Sequence, residues 1–263
     1  MIEVNLKSKI YKNDLILKDI YFKIGKGELV LIVGPSGVGK STLLSILRGE
    51  DFTGVIKKEK DMKIRYISQQ LSINKNETPY FAIKEDIRIT HTEFEEKEIK
   101  KATGRYLKAF DLVRCANRKI KYLSGGEQRR AMIAQRFACD DFHLLLADEP
   151  DSSCDLPTSN AILSYMLETA RAEKKTMVIV SHLVTNVNQF DKVLILGREE
   201  NEGSTIKFYD SPNKLRDLYG TDDLCRILQS MENKKVKNKS TENIIEWKQR
   251  TSQERKTKKE GIV

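Results

Sequence analysis

The stretch that decides the fold is Gly34-Pro-Ser-Gly-Val-Gly-Lys-Ser41, a glycine-rich run between two apolar segments. It follows the apolar run Leu29–Val33 and precedes Thr42–Leu47, which has the spacing of a helix. A strand, a glycine loop and a helix in this order are the context in which G-x-x-x-x-G-K-[ST] forms a phosphate-binding loop. The stretch therefore predicts a binding site for a nucleoside triphosphate.

The residue types in this loop suit phosphate. Glycines have no Cβ, so the backbone can curl and direct its N–H groups at phosphate oxygens. The following helix adds unpaired N–H groups and the positive end of its dipole. We expect Lys40 to reach the β- and γ-phosphates and Ser41 to ligate Mg²⁺. The predicted contacts are Gly34, Pro35, Ser36, Gly37, Val38, Gly39, Lys40, Ser41 and Thr42.

Length and composition narrow the class of protein. A chain of 263 residues with 39% hydrophobic content can bury one sizeable core, with at most a small satellite subdomain. No apolar run approaches the length of a membrane span, and the amino terminus lacks the pattern of a secretory signal. Four cysteines without C-x-x-C spacing predict reduced cytosolic thiols, with neither a zinc site nor a disulfide framework.

The net charge of +9 is concentrated at the carboxyl end. Residues 231–263 contain ten Lys or Arg and five Glu, which gives this segment a net charge of +5. Nucleic acid, an anionic membrane surface or an acidic partner could each use such a tail. A solvated disordered tail explains the composition equally well, and we expect disorder.

The rest of the chain alternates strand and helix signals. A hairpin is predicted for residues 2–6 and 15–24, and a strand that runs into Gln69 is predicted for residues 63–67. Residues 71–126 have the character of a mostly helical inserted subdomain. Ser124 predicts a helix start. Buried strands are expected at 143–147 and 176–181, with a helix at 159–173 between them, and a hairpin and a closing helix from Ser211 follow. Asp148 and Glu149 follow one another at the end of a predicted buried strand. Burying two carboxylates costs free energy of folding, so this placement indicates that they bind an ion or take part in a reaction.

Several motifs in one order carry a family resemblance. Leu123-Ser-Gly-Gly-Glu-Gln128 resembles the signature motif of the nucleotide-binding subunits of ABC transporters, and Leu144–Glu149 resembles their Walker B segment. Ser152–Asp155 resembles the D-loop, and His182 stands where the switch histidine belongs. With Gly34–Ser41 as Walker A, the likeness covers roughly residues 1 to 215. It implies an α/β P-loop NTPase with a RecA-like parallel sheet core, an antiparallel β-subdomain and the inserted helical subdomain, in a domain of residues 1–230.

The resemblance implies the substrate and the cofactor, ATP and Mg²⁺. Tyr11 would stack on the adenine, although a tyrosine packed in the hairpin core is an alternative. Asp148 would hold Mg²⁺ through water, alongside Ser41. Glu149 would polarise the attacking water as the general base.

The resemblance also implies sensors of the γ-phosphate. Gln69 would detect Mg²⁺ and the γ-phosphate and would link the site to the helical subdomain. We prefer Gln69 to the adjacent Gln70 because Arg65–Gln69 has the spacing of the family. His182 would contact the γ-phosphate.

The signature motif implies a dimer. Ser124, Gly125, Gly126 and Glu127 would contact the ATP bound to a second nucleotide-binding subunit, so that a homodimer encloses two ATP molecules head to tail. Asp155 would lie at the interface between the two subunits. ATP would hold the two faces together, and hydrolysis would remove the charge that held them.

The implied partners are integral membrane (permease) subunits, and the implied location is cytoplasmic, peripheral on the inner face of the cell membrane. The family makes its membrane contacts in the segment after Gln69, here including Pro79–Ile87, although simple packing is an equal alternative for Tyr80, Phe81 and Ile83. Ala147, immediately before the Walker B acid, resembles the corresponding residue of the branch that serves lipoprotein release and macrolide export, and it favours that branch.

Two other functions compete with membrane transport. A soluble ABC ATPase acting on nucleic acid or the ribosome could use the basic tail as its handle. Against this, the chain has one cassette, no long heptad insertion and no paired cysteines, so nucleic acid is disfavoured as a partner. A non-catalytic regulatory subunit is disfavoured because Glu149 and His182 are present.

Three departures from the family pattern stand out. The connection from the phosphate loop to Gln69 is short, which trims the β-subdomain. Asp151 replaces the usual threonine after Glu-Pro, and Cys154 replaces an aliphatic residue of the D-loop. The last two bear on the dimer interface and on the rate of hydrolysis.

Overall fold

A computed structural model describes residues 1–50, 55–70, 72–152, 154–181, 187–199, 203–221 and 223–232. Both strands and helices occur along these ranges, as in an α/β protein. The strands are β1 (Ile2–Tyr11), β2 (Asp14–Ile24), β3 (Leu29–Val33), β4 (Val55–Lys57), β5 (Ile64–Ile67), β6 (Leu144–Asp148), β7 (Thr176–Val180), β8 (Lys192–Glu199) and β9 (Gly203–Asp210). The helices are α1 (Lys40–Arg48), α2 (Pro79–Thr90), α3 (Glu96–Ala109), α4 (Gly125–Ala138), α5 (Leu156–Ala172), α6 (Pro212–Tyr219) and α7 (Leu224–Glu232).

The described residues fall into two compact units. The first contains Met1–Ile24, Val30–Lys58 and the described residues from 187 onward. The second contains Gly25–Leu29 and the described residues from 59 to 181. The glycine loop therefore belongs to the first unit, whereas Gln69, the signature motif and the acids Asp148 and Glu149 belong to the second.

The sheet of the first unit combines antiparallel and parallel pairs in the order β4-β1-β2-β9-β8-β3. β1 is antiparallel to both β2 and β4, and β8 is antiparallel to β9. β2 is parallel to β9, and β3 is parallel to β8 from Val30 to Val33. All five residues of β3 are buried, so the glycine loop leaves the sheet from a fully covered strand.

The first hairpin shows how a short sequence signal fixes a turn. Tyr11 pairs with Asp14, which leaves Lys12 and Asn13 as a two-residue loop. Both loop residues have a positive φ, 47° and 72°, as the tight turns that suit twisted hairpins require. The predicted hairpin is confirmed, and its first strand extends beyond Leu6 to Tyr11.

The second unit contains three parallel strands, in the order β7-β6-β5. Ile67 of β5 pairs with Ala147 of β6, and Asp148 of β6 pairs with Val180 of β7. Every residue of β6 and β7 is buried, as expected for the inner strands of a parallel sheet. Because the strands are parallel, their carboxyl ends lie along one edge, and Gln69 and Glu149 follow β5 and β6 at this edge.

Between β5 and α4 the chain is helical, as predicted. Helix α2 begins at Pro79, with the Thr78 hydroxyl accepting from the Phe81 amide at 3.2 Å. It packs against α3 and α4 and buries Ile83 completely, whereas Phe81 remains 49% exposed. Ile83 therefore packs inside the helical region, whereas the contact of this helix with a membrane partner stays a prediction. In the described part of the chain, no helix has both the length and the apolar composition needed to cross a bilayer.

Helix α5 begins earlier than the sequence predicted, at Leu156 instead of Ser159. The Asp155 carboxylate accepts a hydrogen bond from the Thr158 amide at 3.0 Å and so caps the helix, and Pro157 lies in its first turn. The short strand β4 and the helix α7 were not predicted.

Candidate functional site

The glycine loop joins β3 to α1, as the sequence predicted. Gly34, Gly37 and Gly39 have φ values of 153°, 73° and 93°, a range that favours glycine. Ser36, Gly37 and Ser41 are exposed, so the rim of the loop is open to a ligand. Because α1 begins at Lys40, the unpaired amides of its first turn face the same region as the loop.

The Lys40 side chain folds back over this loop. Its Nζ donates to the carbonyl oxygens of Gly34 and Pro35, both at 2.9 Å, and the residue is 6% exposed. An ammonium group is costly to bury unless its donors are paired, and these carbonyls supply partners. The positive charge is thereby held beside the amides that would bind phosphate.

Gly34 is the position in the loop where a side chain has least room. A Cβ built there would lie 2.5 Å from the carbonyl oxygen of Leu196, which is main chain and cannot rotate away. We expect Gly34→Ala to destabilise the protein by roughly 1–3 kcal/mol, through the clash and the positive φ, and to weaken ATP binding. Urea unfolding of the purified chain measures the first effect.

Gly37→Ala is the matched control for this prediction. Gly37 also has a positive φ, but a Cβ there meets nothing within 4 Å. It should therefore show only the backbone strain, about 1 kcal/mol. Equal destabilisation by the two substitutions would show that the approach of Leu196 does not constrain the loop.

Tyr11, the predicted adenine-stacking residue, lies at the tip of the first hairpin. Its ring is 61% exposed, and the Lys12 ammonium lies 5.6 Å from the ring centroid. The alternative of a tyrosine in the hairpin core is therefore wrong. An exposed ring at a hairpin tip is available for stacking.

In the second unit, two acids follow one another at the end of β6. Asp148 is 3% exposed, and Tyr66 Oη donates to its Oδ2 at 3.5 Å. Glu149 has a φ of 48°, an unusual conformation for a residue with a side chain, and it is partly exposed. Gln69 Nε2 donates to Glu149 Oε2 at 3.0 Å, whereas Gln70 uses its carbonyl to accept from the Ser68 hydroxyl. The structure thus brings together Gln69 and Glu149, which lie far apart in sequence.

Arg129 lies at the same edge and was not singled out from the sequence. Its guanidinium donates to four main-chain carbonyl oxygens: Nη1 to Ser68 and Gln69, at 2.5 and 2.8 Å, and Nη2 to Asp148 and Glu149, at 3.0 and 2.8 Å. Burial lowers the pKa of this guanidinium, and the neighbouring acids oppose that shift. The sequence did contain a signal that this arginine is buried, because Arg129 shares a helix face with the apolar residues Met132 and Ile133.

Asp151, noted above as a departure from the family, is buried at 5% exposure. Its Oδ2 accepts from the hydroxyl of Ser181 at 2.5 Å, and its carbonyl accepts from the hydroxyl of Ser159 at 3.0 Å. The added carboxylate therefore contacts Ser181, which follows β7, whereas the contact with helix α5 is made by the main chain of Asp151. His182, which follows Ser181 and was predicted to contact the γ-phosphate, lies outside the described residues.

The signature motif forms the start of α4. The Ser124 hydroxyl accepts from the Glu127 amide at 3.3 Å, and the Glu127 carboxylate accepts from the Ser124 amide at 2.8 Å, which is a capping box. The hydrogen bond from the Ser124 amide holds the pKa of the Glu127 carboxyl below its usual value. Ser124 and Gly125 are exposed and Gly126 is partly exposed, so the helix start is accessible.

Asp155 occupies the cap position of α5 and is exposed. The hydrogen bond from the Thr158 amide lowers the pKa of its carboxyl. The residue as a whole is exposed, so its side chain is accessible to a partner. Cys154 is partly exposed, and burial raises the pKa of its thiol, as expected for an unreactive cysteine.

Comparison with known proteins gives one family. The family described as "ABC transporter" matches residues 17–152. The phosphonates import ATP-binding protein PhnC of Fusobacterium nucleatum subsp. nucleatum is 32% identical over 254 residues, covering 88% of this chain and 98% of that protein. The manganese transport system ATP-binding protein MntB of Halalkalibacterium halodurans is 31% identical over 212 residues, covering 76% of this chain and 84% of that protein.

Solved structures agree with these relatives. The dimeric, post-hydrolysis structure of the ATP-binding cassette MJ0796 bound to ADP and Pi matches with a TM-score of 0.65 and 26% identity, covering 80% of this chain and 98% of that chain. An ATP-binding subunit of an ABC transporter matches with a TM-score of 0.69 and 21% identity over 88% of this chain and 98% of that chain, a likeness of fold alone. The predicted P-loop NTPase fold is confirmed. The assignment to the branch that serves lipoprotein release and macrolide export is not confirmed.

Proposed function

The chain belongs to the ABC transporter family, and on this premise we propose that it binds and hydrolyses ATP in order to energise a membrane transport complex. The observation that carries the proposal is the hydrogen bond between Gln69 Nε2 and Glu149 Oε2, at 3.0 Å. It supports Glu149 as the group that activates water and Gln69 as the residue that reports on the nucleotide. The complete phosphate loop, Gly34–Ser41, supplies the binding function that the reaction also needs.

The phosphates are held by the amides of the loop and of the first turn of α1. Lys40 exchanges its contacts with the carbonyls of Gly34 and Pro35 for phosphate oxygens, and its charge then lies beside the β- and γ-phosphates. The exposed ring of Tyr11 stacks on the adenine. Binding thus depends on a fixed set of donors and one exposed aromatic face.

Hydrolysis transfers the γ-phosphoryl group to water. Glu149 accepts a proton from the water while the oxygen of that water attacks the γ-phosphorus. The bond from the γ-phosphorus to the oxygen that bridges it to the β-phosphorus then breaks, which gives ADP and phosphate. Gln69 holds the Glu149 carboxylate and completes the positioning of the water. His182 is proposed as a further donor to the γ-phosphate, on the strength of its place in the sequence after β7.

The donor set also fits Mg²⁺. This ion prefers one or two protein oxygens together with phosphate oxygens and water, instead of a cage made entirely of side chains. Asp148 and the exposed Ser41 hydroxyl are donors of that kind, and no cluster of three or more His, Cys, Asp or Glu suited to a metal occurs among the described residues. When bound, Mg²⁺ would neutralise charge on the phosphates.

We propose that the active form is a homodimer. The accessible helix start formed by Ser124, Gly125, Gly126 and Glu127 offers the amides of Gly125 and Gly126 and the positive end of the helix dipole, which suit an anion, here the ATP of the second subunit. Asp155 is exposed at the start of α5 and is proposed as an interface residue. The dimeric MJ0796 cassette supports this arrangement.

Permease subunits with membrane spans are the proposed partners, with this chain peripheral on the cytoplasmic face of the membrane. The names of PhnC and MntB describe import of phosphonates and transport of manganese, which supports a transport role without choosing a substrate. The alternative of an ATPase acting on nucleic acid or the ribosome is not favoured by these relatives.

The proposal can be tested by isolating the complex in its ATP-bound form. Tagged chain carrying Glu149→Gln should retain bound MgATP and stay dimeric, because the unhydrolysed γ-phosphate keeps the two nucleotide-binding subunits together. The tagged dimer should also recover a multi-span membrane protein from mild-detergent extracts in a fixed ratio. Mass spectrometry identifies the partner, and multi-angle light scattering of the purified mutant measures the dimer.

The control is the same chain with Lys40→Met added, which should lose ATP and with it the dimer. Recovery of ribosomes or of nuclease-sensitive nucleic acid, without any membrane protein, would instead support the soluble alternative.

A further inference from the structure

The four hydrogen bonds of Arg129 begin where the ladder between β5 and β6 stops. The last pair of that ladder is Ile67 with Ala147. The next residues on the two strands are joined by the guanidinium, through Ser68 and Gln69 on one side and Asp148 and Glu149 on the other. One planar side chain thus sets the separation of the two segments that carry Gln69 and Glu149.

The geometry of the brace requires arginine. A guanidinium has donors in a rigid plane and can serve two pairs of acceptors on opposite sides at once. The ammonium of a lysine is a single atom and cannot bridge the same four oxygens. At 2% exposure, Arg129 is shielded from bulk solvent, so its four contacts are made away from competing water.

Glu149 needs such a brace more than most residues. Its φ of 48° is sparsely populated and persists only where surrounding contacts hold it. Its amide donates to the carbonyl of Val180 at 2.9 Å, and its carbonyl accepts from Arg129 at 2.8 Å, so the main chain is fixed on both sides of the strained residue. The direction of the carboxylate, and its contact with Gln69, follow from this main-chain position.

We propose that Arg129 is a positioning residue for hydrolysis, which holds the main chain of Gln69 and Glu149 at the spacing that the attacking water requires. This rests on the proposed function, because it presumes that Glu149 activates water. Arg129 does not touch the nucleotide in this scheme. Its removal should therefore lower the rate of the chemical step and leave ATP affinity nearly unchanged.

The test compares Arg129→Lys with wild type in the full-length chain. We expect kcat for MgATP hydrolysis to fall roughly 10- to 100-fold, since small misplacements of a catalytic group cost about this much, with less than about a threefold change in ATP affinity measured by a fluorescent analogue. Rates are expressed per ATP-binding-competent molecule, so that a lower folded fraction does not imitate a lower kcat.

A double-mutant cycle separates positioning from a purely structural role. In the Gln69→Ala background, Arg129→Lys should lower kcat by clearly less than it does alone, because the contact that it positions is already absent. A structural role would lower the melting temperature equally in both backgrounds and would give independent effects on kcat.

Arg136→Lys is the matched control, on the same helix and with the same substitution. Arg136 is partly exposed and donates to one main-chain carbonyl, that of Ser72 at 3.3 Å. It should hydrolyse ATP at the wild-type rate. Should Arg129→Lys fail to fold, Arg129→Gln, which retains two donors, takes its place in every measurement.

Wild-type kcat in Arg129→Lys or Arg129→Gln would overturn the positioning role and leave the proposed function standing. So would a fall in kcat fully explained by weaker ATP binding. Absence of hydrolysis by the wild-type dimer would overturn the proposed function, and this inference with it.

Discussion

Glu149→Gln should reduce steady-state ATP hydrolysis by roughly 10²- to 10⁴-fold, the usual contribution of a general base. Glutamine has nearly the same shape and can still accept the hydrogen bond that Gln69 donates to this side chain. What it cannot do is take a proton from water. ATP affinity should therefore remain within a few-fold of wild type while turnover is lost, as measured by phosphate release and by nucleotide retention on gel filtration.

Glu168→Gln provides the matched control for this change. Glu168 is an exposed residue of α5, so the same substitution there removes a carboxylate at no predicted site. It should leave hydrolysis unchanged. Normal turnover by Glu149→Gln would show that another group accepts the proton, and the assignment of the base would then be wrong.

Lys40→Met should weaken ATP binding by roughly 10- to 100-fold and reduce hydrolysis to background. The substitution preserves the length of the apolar stem but removes the ammonium, and a hydrogen bond to a charged group contributes about 1.5–3 kcal/mol. The same group compensates the carbonyls of Gly34 and Pro35, so the empty loop also loses two contacts. Isothermal titration with a non-hydrolysable ATP analogue measures the affinity.

Two readings distinguish a binding role for Lys40 from loss of the fold. Lys214→Met, at an exposed position of α6, should bind ATP like wild type. The far-ultraviolet circular dichroism of Lys40→Met should match that of wild type at 25 °C, the temperature of the titration. Undiminished affinity in a folded Lys40→Met chain would mean that the loop amides alone bind the phosphates.

The sequence was sufficient where local chemistry decides the structure. The hairpin at Lys12 and Asn13, the loop before α1 and the start of α4 at Ser124 each depend on residues adjacent in the chain, and each was predicted. The motif order also led to the family that the comparisons confirm.

The remainder depends on contacts between distant residues or on a choice between two local roles. Asp155 was assigned to the dimer interface, although its carboxylate also caps α5, so the start of that helix was misplaced. Helix α7 begins where Asp223 Oδ1 accepts from the amides of Cys225 and Arg226, a local signal that was overlooked beside the basic tail. The contacts of Arg129 with Ser68 and Asp148 could not be read from spacing, because they join segments 61 and 19 residues away.

The capping box at the start of α4 bears on how quickly two copies of the chain can associate. Ser124 and Glu127 already satisfy each other's amides within a single chain, so the first helical turn is built before a partner arrives. The Ser124 hydroxyl accepts in this box, and its own hydrogen can still be donated to an anion. A surface that needs no rearrangement avoids the loss of conformational entropy at the moment of encounter. In the proposed homodimer, the rate of association should therefore be governed by diffusion and charge, and the lifetime of the pair by the bound nucleotide.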